Sequence, residues 1–183
     1  MEAVPSVWLF EGLERRSVRL QDGRVVKLSV DVKDLPPGQE GFSKYHAGKD
    51  RMVVALSSAT YGQLELNDGR ARFTLAHEIG HVVLHCNELE RLGTLPHAAG
   101  AMARAARRGH AVFRDCEWQA NAFASAFLMP ARGIKQMMAE GSLRYLNLGQ
   151  ALSSNYVVSD MAARIRADVY RKDEAKLVNE TRY

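Results

Sequence analysis

The chain has 183 residues, 46% hydrophobic and 25% charged, the composition of a soluble globular protein with room for one ordinary domain or a domain with a small appendage. Its formal charge of +4 is too small to argue for nucleic acid by itself, and two cysteines are too few for a disulfide framework. The opening MEAVPSVWLF lacks a basic start and a long apolar core, and no stretch approaches the ~18 to 20 apolar residues of a membrane helix, so a cytoplasmic setting is expected.

The first half reads as strand and turn. SVRLQDGRVVKLSVDV (17–32) alternates apolar and polar residues on either side of Asp22-Gly23, a strong hairpin signal. LPPGQEG (35–41) is a loop by its prolines and glycines, RMVVALSS (51–58) suits another strand, and GQLELNDG (62–69) alternates and ends in a turn. From Gly69 the period changes: Phe73, Ala76, Ile79, Gly80, Val83 and Leu84 recur at three and four residues, predicting a helix over about 70–86. Residues 93–114 mix glycine, alanine and arginine without a face and read as a long, partly ordered excursion. A second helix is predicted over about 115–128, stopping at Met129-Pro130. The tail from about 131 to 172 reads as helical in short pieces, broken at Gly141 and Ser153–Asn155, with Ser159 able to cap the last helix. Strands in the first half followed by helices give an expected class of α+β. The expected division is a main domain over residues 1–130 and a helical C-terminal subdomain over 131–183.

The chemistry is concentrated in RFTLAHEIGHVVLH (72–85). Four residues of α-helix turn through about 400° and rise about 6 Å, so His77 and His81 project from nearly the same face and can reach one ion. Glu78 sits about 100° round, badly placed to coordinate but able to reach a water held at an open position. Zinc lowers the pKa of such a water towards about 7, and an adjacent carboxylate can take its proton. The competing reading is a buried helix with satisfied histidines, but two rings and a carboxylate on one core-facing stripe are costly to bury without a partner. His85 continues the row, yet about 12 Å of rise separates it from His77, so it is expected at the surface or supporting a ligand. CEWQANAFASAFLMP (116–130) offers the third ligand: Glu117 can give a carboxylate oxygen, and Asn121, one turn on, can hydrogen-bond a histidine and fix its tautomer. The alternative for Glu117 is a solvated acid favoured by the helix N-terminus.

These paired motifs, with the Arg-Phe-Thr-Leu-Ala approach, the Leu-Met-Pro terminus and YVVSDMAARI (156–165), closely resemble the ImmA/IrrE family of zinc metallopeptidases, which is HExxH and gluzincin-like. The recognisable parts run from about 51 to 170; the first 50 residues resemble the family loosely. Carried over by position, the resemblance implies that His77, His81 and Glu117 hold zinc and that Glu78 is the catalytic base, on a minimal zincin-like fold with a small antiparallel sheet packed on the HExxH helix and helices completing the cleft. It implies as substrate a helix-turn-helix repressor of the XRE type, whose cleavage derepresses stress or mobile-element genes. A two-histidine, one-glutamate set also tolerates Mn2+ or Fe2+. The substrate is expected to pair as a strand with an edge formed by RMVVALSS. Tyr45, His97, His110, Tyr145 and Tyr156 all stand as donors to the developing oxyanion.

Other features have plainer readings. RAARRGHAVFR (104–114) reads as solvated surface rather than an acidic-partner or DNA contact, and Cys86 and Cys116 as reduced, packed thiols rather than a redox switch. LGQALSSNYVVSDMAARI (148–165) has a helix–turn–helix rhythm, but its second helix opens Asp-Met-Ala-Ala, poor for phosphates, which argues against direct nucleic-acid binding and for a structural or docking tail. A zincin-like component of a toxin–antitoxin or prophage pair that acts mainly by binding is the competing function, and the intact Glu78 argues against it.

Overall fold

The computed structural model describes residues 6–94, 115–139 and 147–180, with side chains to residue 173. The chain forms two compact units, Val4–Ala124 and Ser125–Tyr183. The 93–114 excursion, with its arginine-rich part, and the expected break at Gly141 lie outside the described residues, apart from Gly93 and Thr94 at the end of a helix.

The first unit contains α1 (Ser6–Gly12), β1 (Ser17–Arg19), β2 (Val25–Lys33), β3 (Gly41–His46), β4 (Arg51–Ser57), α2 (Ser58–Glu65) and α3 (Gly69–Gly93). Helix α4 (Cys116–Leu128) begins in this unit and carries the chain into the second. The β1–β2 hairpin turns where Asp22-Gly23 predicts it. Gly23 has φ +89°, a left-handed conformation that only glycine adopts freely, and the Arg24 amide donates to Asp22 Oδ1 at 2.9 Å.

The sheet is mixed, not wholly antiparallel, with order β1-β2-β4-β3 and a parallel β2–β4 pair. RMVVALS is thus an interior strand and cannot offer the substrate-pairing edge expected of it; among the described residues the edges are β1 and β3. The physical reason is in the residues themselves. Met52, Val54 and Leu56 enter the main core, and Val53 and Ala55 on the opposite face are buried as well. A run apolar on both faces belongs inside a sheet. GFSKYH, with no clear alternation, takes the outer place as β3, antiparallel to β4.

The strand expected over 62–69 is instead the end of α2 and its turn. Ser57 caps this helix by accepting from the Thr60 amide at 3.0 Å. Leu64 is 1% exposed and Leu66 84%, so the two do not share a face as alternation would require. In α3, Asp68 accepts from the Arg70 and Ala71 amides at 2.9 Å each, and Leu75, Ile79, Val82, Cys86 and Leu89 line the core at helical spacing. The helix runs past the predicted end at 86, with a kink at His85 (φ −125°, ψ 23°).

The second unit packs α5 (Ala131–Ala139), α6 (Leu148–Tyr156) and α7 (Asp160–Glu180) around Met129, Ile134, Leu148, Leu152 and Ala163. Asn147 and Gln150 form a reciprocal cap on α6. The break expected at 153–155 falls slightly later, where Val157 turns left-handed at φ 51°, and the Ala162 amide donates to Ser159 Oγ at 3.3 Å. Beyond it the last helix, α7, has 21 residues and runs past the expected end at about 172. No helix among the described residues is long and apolar enough to cross a membrane.

Candidate metal centre

Helices α3 and α4 bring the site together by touching at small residues. A Cβ placed on Gly80 would lie 3.2 Å from both Cα and O of Ala120, and Ala120 itself is fully buried. This close approach lets side chains of the first turn of α4 reach the histidine face of α3. Asp115 caps the start of α4: its Oδ1 accepts from the Glu117 amide at 2.9 Å. Glu117 lies in the first turn with its side chain 42% exposed, so the helix N-terminus favours its charge while its carboxylate faces the two histidines.

His77 Nε2 and His81 Nε2 are 2.9 Å apart, His77 Nε2 lies 3.3 Å from Glu117 Oε2, and His81 Nε2 lies 3.5 Å from Glu117 Oε1. Four ligands at about 2.0–2.1 Å from a tetrahedral ion are separated by about 3.3 Å along each edge; here each histidine nitrogen meets a different oxygen of Glu117, and one ligand atom from each of the three residues lies within 4.8 Å of the others. Asn121 Oδ1 is 3.0 Å from His77 Nδ1. An amide oxygen only accepts, so a ring proton sits on Nδ1 and Nε2 is the nitrogen left for a metal. Nε2 faces a second ring nitrogen and a carboxylate, an arrangement that a cation between them would satisfy. The chemistry of the donors, two imidazoles and one carboxylate, fits a divalent metal, and among the described residues these three form the candidate group.

The electrostatics follow from crowding. Hydrogen bonds from His77 and His81 hold the Glu117 carboxyl well below the usual carboxylate range. Burial opposes charge on His77, but the hydrogen bond and charge of Glu117, with Glu78 and Asn121, outweigh it and raise its pKa. Glu78 is only 7% exposed, and burial pushes its carboxyl up, against the lowering effects of Ser43 and of the two histidines. Ser43 Oγ on β3 lies 2.6 Å from Glu78 Oε2 and 2.9 Å from the Glu78 carbonyl oxygen. Its single proton can serve either acceptor.

His85 is buried, which lowers its pKa, and stands between His81 and Gln119. Among the expected oxyanion donors, Tyr45 is committed elsewhere: its hydroxyl donates to Asp50 at 2.6 Å, and its ring packs where a Cβ on Gly93 would sit, 16 residues down α3 from His77. Tyr156 packs in the second unit, its hydroxyl where a Cβ on Gly133 would fall. His97, His110 and Tyr145 lie outside the described residues. Cys86 and Cys116 are both free thiols, the first buried and the second half-buried.

The residues that sequence reasoning missed are Ser43, Gln119 and the spacing role of Gly80. Ser43 and Gln119 stand in no motif and act only across the fold. Gly80 carried a signal, being a glycine inside a helix, where it is unfavourable by about 1 kcal/mol unless something needs the room.

No curated protein matches the chain by sequence. The family model described as the IrrE N-terminal-like domain of the M78 peptidases matches residues 27–168, beginning in β2 and so reaching further towards the N-terminus than the motifs themselves. With that match spanning most of the chain, and a two-histidine, one-glutamate group assembled at its HExxH helix, this protein belongs to the ImmA/IrrE family of metallopeptidases.

Proposed function

We propose that the chain is a zinc-dependent, site-specific endopeptidase that cuts a partner protein in the cytoplasm. We take that partner to be an XRE-type helix-turn-helix repressor whose loss turns on stress or mobile-element genes. The observation that carries the hydrolytic reading is a buried carboxylate, Glu78, held by Ser43 beside the convergence of His77, His81 and Glu117. When bound there, a divalent ion supplies Lewis acidity, acidifying water and polarising a carbonyl oxygen. Zinc is the ion we favour for a half-nitrogen, half-oxygen tetrahedral set, while Mn2+ and Fe2+ share the same donors.

Glu78 takes a proton from the attacking water and returns it to the leaving amine. Burial suits it to both steps, because a carboxylate whose pKa is raised holds a proton more readily than a solvated one. Ser43 keeps one carboxylate oxygen occupied, leaving the other to handle the proton. Asn121 and Glu117 fix His77 from opposite sides of its ring. The edge strand β3 carries Ser43, so an extended substrate segment adding to that edge would run beside Glu78.

Co-expression with a helix-turn-helix regulator encoded next to this chain tests the proposal. Cleavage of the regulator by the native protein, and none by Glu78→Gln with zinc still bound, is the expected result. A regulator left whole by both, yet retained on the native protein in a pull-down, would replace the protease reading with the binding role.

A further inference from the structure

We propose that His85 and Gln119 are positioning residues that fix the tautomer and ring orientation of His81 for metal binding. The inference rests on the reading that His77, His81 and Glu117 hold a divalent metal, and it adds a relay to that set. His85 Nε2 lies 2.7 Å from Gln119 Oε1, and an amide oxygen only accepts, so His85 carries its proton on Nε2. Its Nδ1 is then a bare acceptor. It faces His81 Nδ1 at 3.3 Å, which holds a His81 proton on Nδ1 and reserves as the metal ligand His81 Nε2. That is the atom 2.9 Å from His77 Nε2 and 3.5 Å from Glu117 Oε1.

Both histidines of the candidate centre are thus held from α4, His77 directly by Asn121 and His81 through His85 by Gln119. The same helix supplies Glu117. The His85 ring cannot serve as a ligand itself, since Nε2 is engaged by Gln119 and Nδ1 is turned to His81. It is 8% exposed, so water does not readily replace the acceptor it provides. Without that acceptor, His81 can carry its proton on Nε2, in the direction of the metal, and each binding event must first move it.

The test uses the full chain stripped of metal, with zinc affinity read by competition against a chelating chromophore and the visible spectrum of the Co2+-loaded protein. His85→Leu keeps an apolar side chain in the buried position and removes the acceptor. Zinc affinity is expected to fall by about 10- to 100-fold, the scale seen when a partner of a ligating histidine is removed, with a changed cobalt spectrum. His85→Asn puts an oxygen two bonds from Cβ, as Nδ1 is, and is expected to recover most of the affinity. Gln119→Leu, at a partly exposed position, is expected to weaken zinc in the same direction and serves if His85→Leu does not fold. Zinc binding and a cobalt spectrum like the parent's in folded His85→Leu or Gln119→Leu would overturn the relay while leaving the metal reading intact. So would an Asn variant as weak as the Leu variant. A parent chain that binds no zinc at all would instead sink the metal reading on which the relay stands.

Discussion

Replacing Gly80 with alanine is a small change with a calculable consequence. The new Cβ would lie 3.0 Å from Phe123 Cδ1 and 3.2 Å from both Cα and O of Ala120. Carbon atoms pack comfortably at about 3.5–4.0 Å, so several tenths of an ångström must be found. The phenyl ring can swing aside, but two of the three contacts are backbone of α4, and backbone yields only if the helix moves. Glu117 sits one turn before Ala120 on that helix and moves with it. Overpacking of this kind costs about 1–3 kcal/mol, while exchanging a helical glycine for alanine returns about 1 kcal/mol, so the net loss of fold stability is modest, about 0–2 kcal/mol. Metal geometry is less forgiving, because ligand distances must hold within about 0.2 Å. Zinc affinity is therefore expected to fall on the order of tenfold or more, the scale of disturbing a ligand's support, in a protein that still melts cooperatively. Competition with a chelating dye reads the affinity and thermal denaturation of the metal-free chain reads the fold. Gly62→Ala is the control: nothing lies within 4 Å of its added Cβ in α2, so zinc affinity should not change. A Gly80→Ala protein binding zinc as tightly as the parent would refute the claim that the α3–α4 spacing places Glu117.

Further outcomes follow from the same geometry. Glu78→Gln should abolish hydrolysis and also stabilise the metal-free protein near neutral pH: burial raises the folded pKa of Glu78 above its unfolded value, so its contribution to stability is present in acid and lost as pH rises through the folded pKa. Denaturation across pH checks this, and a variant no more stable than the parent at neutral pH while matching it in acid would contradict the buried-charge argument. Ser43→Ala should lower kcat roughly 10- to 100-fold, the worth of about 1.5–3 kcal/mol for a hydrogen bond to a charged group, with zinc affinity unchanged. Steady-state kinetics alongside metal titration separates the two effects. Adding a chelator to zinc-loaded protein should lower its melting temperature, as expected for loss of about 2.7 kcal/mol when free metal stands at a hundred times Kd; an unchanged melting curve would argue against a metal bound only by the folded state.

Local physics already settles much of this protein. The four-residue interval between His77 and His81 puts both rings on one face of a helix wherever that helix packs. Asp22-Gly23 marks the hairpin through the turn itself, Gly23 left-handed and Asp22 accepting from the Arg24 amide. Asp68 opens α3 by capping the amides of Arg70 and Ala71, two and three residues on. The alternating run at 62–69 misled because alternation over so few residues does not distinguish a strand from a helix end. Only burial, with Leu64 inside and Leu66 in solvent, decided it.

What tertiary structure alone decided is everything that depends on two distant segments meeting. That Glu117 closes on the histidines was an expectation from motif and resemblance until α3 and α4 were seen to touch at Gly80 and Ala120. The edge position of β3, the hold of Ser43 on Glu78 and the reach of Gln119 to His85 leave no periodic mark along the chain. The reason is physical: helical spacing and turn chemistry act over a few residues, whereas the Ser43–Glu78 and His85–Gln119 contacts join positions more than 30 residues apart through packing that every element of the unit determines together.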